Sequence, residues 1–267
     1  MAIGKEQYMD KSKYEEIYES LEDITDIGPV AETFDIHPGI AYTILSQKTV
    51  SRVKTDFGRL KRSGPAQLEQ WNRGRTILEM AKEKKIPATL IASLILKELN
   101  IPKKMAFNSP AKLQNRRLSL EIIQALENDH FFSPHAHNLQ LEKGRLGEEI
   151  ISRWLKAHKI DFLTEEQLRE QNMTKTPDFL LPEPITIDGM KISWIESKAI
   201  FGDEREHKHY TKKQFSHYQQ ISGHGLVVYW YGFLDTLESN GHIIKSYLFF
   251  EKFKKDIIEL LNFGVHQ

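Results

Sequence analysis

The stretch from Thr176 to Lys198 leaves the backbone little freedom. It reads Thr176-Pro177-Asp178-Phe179, an extended run to Ile187, the pair Asp188-Gly189, and a return that ends in Trp194-Ile195-Glu196-Ser197-Lys198. An Asp-Gly pair between two runs of strand-forming residues predicts a β-hairpin. Folded at that turn, the chain brings Asp178 beside Glu196. Alternate side chains of a strand share a face, so Trp194, Glu196 and Lys198 point one way and Ile195 and Ser197 the other. The charges sit between apolar runs, Ile192 to Ile195 before and Ala199 to Phe201 after, where they are costly without partners.

Two carboxylates held side by side raise each other's pKa, and a hard divalent cation between them removes that cost. Mg²⁺ or Mn²⁺ is the expected cofactor. Such an ion polarises a phosphoryl oxygen and acidifies a water, while Lys198 positions that water or stabilises developing charge. The plainer reading of the same residues is a solvated strand face with alternating charge. Upstream, Gly144 to Leu155 has Leu146, Ile150, Ile151, Trp154 and Leu155 at helical spacing, with Glu148 near the first turn. Downstream, Tyr210 to Gln220 reads as a helix with Gln214 and Tyr218 four apart, and Leu226 to Phe233 as a buried strand. Ile243 to Phe250 reads as a final strand and Glu251 to Phe263 as a closing helix.

In that order of elements the chain resembles the PD-(D/E)xK nuclease superfamily, in its Holliday-junction-resolvase-like branch. More closely, it resembles the codanin-interacting nuclease family with its Thr-Pro-Asp motif. The resemblance rests on Lys175 to Phe179, Trp194 to Ala199, Phe201 to Glu204, His207, Tyr210, Gln214-Phe215, Tyr218 and Gly225 to Phe233. It implies an α/β fold, a restriction-endonuclease-like mixed sheet flanked by helices. It also implies that Asp178 and Glu196 are metal-binding acids, that Lys198 is the catalytic lysine, and that Glu148 and Gln214 fill the acidic and polar positions on the two core helices. The Ser197 backbone carbonyl is the further implied metal ligand. The implied substrate is structured or branched DNA, with RNA left open, and junction-resolving relatives suggest a homodimer by analogy. A protein partner is implied only by the family name of the animal members. Two readings compete: a non-catalytic module of the same fold that binds nucleic acid or protein, and a transcription-factor-like protein with a ligand-sensing C-terminal domain.

At 267 residues the chain is long enough for two domains. The expected division is a helical domain over 1–138 and a nuclease domain over 139–267, with a connector near Asn128 to Leu141, where Asp129, Ser133, Pro134, His135 and Asn138 interrupt the helical pattern. In the first half, Ala31, Ile36, Ile40, Ala41, Ile44 and Leu45 recur at an offset of 50 as Ala81, Ile86, Leu90, Ile91, Leu94 and Ile95. Each copy turns near a proline, Pro38 or Pro87, in the manner of a helix-turn-helix.

The net charge is zero, with 37 basic and 37 acidic residues, but residues 51–138 hold 16 basic and 8 acidic. Within that segment Arg52, Lys54, Arg59, Lys61 and Arg62 cluster, as do Lys103, Lys104, Lys112, Arg116 and Arg117, and these are the expected phosphate contacts. Without cysteine there are no disulfides or thiolate metal sites, and the pairs His135/His137 and His207/His209 lack the spacing of structural zinc. Asp203, Glu204 and His207 read as a solvated loop after a strand rather than as further ligands, and Tyr229 to Tyr231 as strand packing. No apolar run reaches the roughly 18 residues of a membrane span, and the N-terminus lacks a signal-peptide layout. The expectation is a soluble cytoplasmic protein without membrane contact, with the nucleus left open if the source is eukaryotic.

Overall fold

Asp10 starts the first helix, its carboxylate accepting from the Ser12 and Lys13 amides at 2.8 and 3.2 Å, and α1 runs Lys11–Ser20. The computed structural model describes residues 8–264. After α2 (Ile27–Thr33) the chain turns at Asp35, φ 46°, and the Ile36 amide donates back to the Ala31 carbonyl at 3.0 Å. Then come α3 (Pro38–Arg62) and α4 (Gly64–Asn72). At the predicted offset α5 (Ile77–Lys84) closes in the same way: Lys85 has φ 51°, and the Ile86 amide reaches the Ala81 carbonyl at 3.1 Å. Pro38 heads α3 and Pro87 precedes α6 (Ala88–Glu98), so both copies of the repeat have the helix–turn–helix order. The helical run ends with α7 (Lys103–Asn108) and α8 (Arg116–Glu127).

Two units are distinguished. One takes the described residues up to Leu45 and those from Leu141 onward; the other takes Ser46–Gln140. The helical unit packs Trp71, Ile77, Met80, Ile91, Ile95 and Phe107 with Leu118 and Ile122 of α8. Its buried acid Glu121 is satisfied there: it accepts from Trp71 Nε1 at 3.1 Å, the Ile77 amide at 2.9 Å and Arg117 Nε at 2.7 Å.

The predicted connector is largely helix. Ser133 Oγ accepts from the Ala136 amide at 3.1 Å, and Pro134 occupies the first helical position, where its missing N–H costs nothing. Ser133-Pro134 therefore starts α9 (Pro134–Ala157) ahead of the expected Gly144.

The other unit is built on a five-stranded mixed sheet in the order β1-β2-β3-β4-β5. After β1 (Leu163–Thr164) and α10 (Glu165–Glu170) come β2 (Phe179–Ile187) and β3 (Met190–Lys198), paired antiparallel. The hairpin turn is at Asp188-Gly189, with φ 49° and 81°, as its sequence predicts. Next come α11 (Glu204–Tyr210), a π-helical turn over Thr211–Phe215, and α12 (Ser216–Ser222). They return the chain to β4 (Gly225–Tyr229), parallel to β3, and β5 (His242–Ser246) lies parallel to β4. Gly225 is a glycine because Trp194 covers it: a Cβ would stand 2.1 Å from the indole. The last two strands are shorter than expected. β4 stops before the turn at Gly232, φ 86°, and β5 gives way to a 3₁₀ stretch, Tyr247–Phe253, ahead of α13 (Lys254–Asn262).

Among the described residues no helix is long and apolar enough to cross a membrane.

Candidate active site

Phe179 pairs with Ile195, so the residue before β2 meets Glu196 across the ladder. The Ser197 amide donates to Asp178 Oδ2 at 2.7 Å, and the Asp178 amide donates to Glu196 Oε2 at 3.3 Å. Lys198 Nζ lies 2.6 Å from Glu196 Oε1 and 4.5 Å from the centre of the Tyr210 ring. The hairpin thus brings Asp178, Glu196 and Lys198 together, with Glu196 buried beneath the lysine.

Burial pushes the Asp178 carboxyl up, opposed by Lys198. Glu196 is also raised, by burial first and then by Asp178. Burial alone would pull Lys198 down, but Glu196 and Asp178 outweigh it and hold the ammonium above its ordinary range. The shift on Glu196 favours a protonated acid and the shift on Lys198 an ion pair; the short Nζ–Oε1 contact decides for the ion pair. One ammonium against two carboxylates still leaves a negative charge in a dry place. A divalent cation relieves that charge, which is the sense in which the donor set fits one. Among the described residues no three His, Asp or Glu side chains form a ready-made cage. Two carboxylates with nearby backbone oxygen suffice for Mg²⁺, which keeps waters and takes substrate phosphate as ligands.

Glu148 projects from α9 with an exposed side chain, yet its carboxyl is pushed up to about 7, by lost hydration first and then by Asp178 and Glu165. The packing beside it is tight. A Cβ on Gly147 would lie 2.4 Å from Trp230 Nε1 and 3.0 Å from Ser197 Oγ, and Trp230 Nε1 donates to that oxygen at 2.8 Å. The Ser197 side chain is therefore spent on the opposite face of β3. Gln214 sits on the π-helical turn with Oε1 buried and without a hydrogen-bond partner, as is Thr211 Oγ1.

Three neighbours escaped the sequence reading as site residues. Glu165 donates its amide to the Asp178 carbonyl at 3.1 Å and accepts from Thr176 Oγ1 at 3.3 Å. The signal was there in Thr164-x-x-Gln167, which forms a capping box at the start of α10. Tyr218, already noted four residues after Gln214, donates its hydroxyl to the Thr176 carbonyl at 2.9 Å. Tyr210 lies over Lys198.

The expected phosphate contacts belong to the helical unit. Lys54, Lys61, Arg62, Lys104 and Arg116 are exposed. Arg52 donates to the Lys85 carbonyl at 3.1 Å, Arg59 pairs with Asp56 at 2.9 Å, and Lys103 lies 4.9 Å over Phe107. Arg117 is engaged internally with Glu121 and with the Trp71 and Arg75 carbonyls. Asp203 caps α11 through the Glu206 amide at 2.7 Å, and Glu204 pairs with Lys11. His207 bridges the Tyr229 hydroxyl at 3.0 Å and the Glu238 carbonyl at 3.1 Å; the carbonyl needs a donor, so Nε2 carries the proton. Tyr229, Trp230 and Tyr231 are fully buried.

The fold and site define an α/β protein with two acids and a lysine gathered on one hairpin. The family described as "Protein of unknown function TPD sequence-motif" matches residues 114–248. The CDAN1-interacting nuclease 1 of Mus musculus is 35% identical over 197 residues, 69% of this chain and 68% of the relative. That of Homo sapiens is 36% identical over 174 residues, 61% of this chain and 62% of the relative. That of Danio rerio is 33% identical over 172 residues, 61% and 57% of the two chains. The chain belongs to this TPD sequence-motif family and is related to these CDAN1-interacting nucleases. No solved structure matches it.

Proposed function

We propose that the protein is a divalent-metal-dependent endonuclease that hydrolyses phosphodiester bonds in nucleic acid, structured or branched DNA first. The observation that carries the reading is the meeting of Asp178, Glu196 and Lys198 around one end of β3. The nuclease name of the relatives supports it. Asp178 and Glu196 would hold Mg²⁺ or Mn²⁺, with the Ser197 carbonyl as a further oxygen ligand, and Glu148, outside any three-acid cage among the described residues, would complete the acidic surroundings from α9. Bound there, the ion supplies Lewis acidity to the phosphoryl oxygen and to the attacking water.

The chain's own groups do the rest. Lys198, held charged by two acids and confined under Tyr210, presents a fixed ammonium where negative charge develops. The Thr176 carbonyl bound to Tyr218 and the Asp178 carbonyl bound to the Glu165 amide fix the loop from which Asp178 projects. Gln214 offers an acceptor to a substrate or water donor. Two symmetric cuts in a branched substrate would call for a homodimer.

The test incubates the wild type, Asp178→Ala and Lys198→Ala with single-stranded, duplex, flap and four-way DNA and with RNA, with and without Mn²⁺. Metal-dependent cleavage by the wild type is expected, lost in Asp178→Ala and reduced by about 10²-fold or more in Lys198→Ala with binding retained. Failure of every polymer to be cut, with Mn²⁺ binding untouched by Asp178→Ala, ends the reading. A protein partner is a second reading that rests on the relatives' name alone.

A further inference from the structure

We infer that the outward face of the helical run from Lys208 to Gln220, whose inward face covers Lys198, is a track that holds the substrate's phosphodiester backbone outside the site. The inference rests on the nuclease reading and identifies a substrate surface on the sheet unit itself, separate from the basic clusters of the helical unit.

Between Glu206 and Asp235 the chain has no acidic residue. On the helical run Lys208, His209, Lys212, Lys213 and Gln220 are exposed, while His207, Phe215 and Tyr218 are buried. The basic side chains are uncompensated: among the described residues no ion pair reaches Lys208, Lys212 or Lys213. The acids that precede the run along the chain are engaged elsewhere, Glu204 by Lys11 and Thr236, and Glu206 by Arg205. The π-helical turn brings the two ends of the run into line. In an unbroken α-helix, positions four apart drift by about 40°, so the strip would wind out of line. The extra residue of the turn at Thr211–Phe215 sets the succeeding helix back by about 100°, which keeps Gln220 on the side of Lys208.

The location is as informative as the charge. Tyr210, on the same run, lies 4.5 Å over Lys198, and Tyr218 grips the Thr176 carbonyl. Thr211 Oγ1 and Gln214 Oε1, on the turn between them, are buried without hydrogen-bond partners, on the side of the run away from the exposed lysines. The run is roughly 18 Å long, and a nucleic acid strand carries a negative charge about every 3.4 Å of duplex axis, so several phosphates fit along it. Repeated negative charge at fixed spacing beside a phosphodiester-cutting site matches a nucleic acid better than an acidic peptide.

The experiment measures binding of labelled four-way DNA and of a labelled poly-glutamate peptide to the full chain by fluorescence anisotropy. It is run in EDTA, so that binding is read without cleavage, over about 50 to 200 mM salt. Lys208→Gln/Lys212→Gln/Lys213→Gln is expected to weaken DNA binding at least tenfold and to flatten the salt slope by about two to three units, while the corresponding Arg triple restores both. Lys252→Gln/Lys254→Gln/Lys255→Gln, with the same charge change on exposed positions of the same unit, is expected to bind as the wild type. Unchanged affinity of the first triple, an equal loss in the Lys252 triple, failure of Arg to restore binding, or equal affinity for the peptide overturns the assignment. Binding that depends on the strip in a chain that cuts nothing with Mn²⁺ retains the strip and removes the nuclease.

Discussion

At Gly147 one missing Cβ decides how closely α9 lies on the sheet, because Trp230 Nε1 and Ser197 Oγ already fill the space. Gly147→Ala must shift backbone or indole, so we expect a loss of about 1–3 kcal/mol and a lower Tm by thermal melting. His242 is a residue of another kind. It is almost fully buried, Nε2 has no hydrogen-bond partner, and the rings of Phe215 and His207 stand 5.2 Å away. Burial first, and the neighbouring His207 second, push its pKa down from 6.5 to about 4. A folded pKa below the unfolded one means that its contribution is intact above about 6.5 and is lost as the pH falls through about 4. His242→Leu is therefore expected to lose less stability than the wild type between those values. Denaturant melts at pH 7 and pH 4 measure it, and equal losses would contradict the assignment.

Among the elements, the Thr-Pro-Asp loop depends on a single hydroxyl from α12. Tyr218→Phe frees the Thr176 carbonyl, and we expect faster amide exchange around Asp178 with cleavage down about tenfold to a hundredfold and DNA affinity kept. The hairpin and its charges were legible because Asp-Gly turns and strand alternation are local rules, and β2 and β3 obey them to within a residue. The start of α9 was missed because Ser-Pro reads equally as a break or as a cap; only the Ala136 amide distinguishes them. The π-helical turn leaves no local signal, since Thr211 to Phe215 suits an ordinary helix and the insertion shows only in what the turn packs against. Glu165 had a local signal in the capping box that starts α10, but its bonds to Asp178 and Thr176 run across a loop, and these no local rule reveals.

For the whole molecule, a cation that binds only the folded site must stabilise the fold. We expect Mg²⁺ or Mn²⁺ at about a hundred times its Kd to add about 2.7 kcal/mol, seen as a rise in Tm that Asp178→Asn removes. The described N-terminal residues belong to the unit built on the sheet. The Met9 amide donates to the Phe233 carbonyl at 2.8 Å, and Tyr14 stacks on Phe201 at 5.2 Å, pairings that periodicity cannot reveal. A last consequence concerns crowding and self-association. β1 covers β2 only at Phe179 and Leu180, and beyond them the register breaks before Ile185, across Pro182-Glu183-Pro184. Two prolines without N–H groups around a charge deny a second copy the regular ladder that fibril growth requires, so this open border of the sheet is guarded by its own backbone.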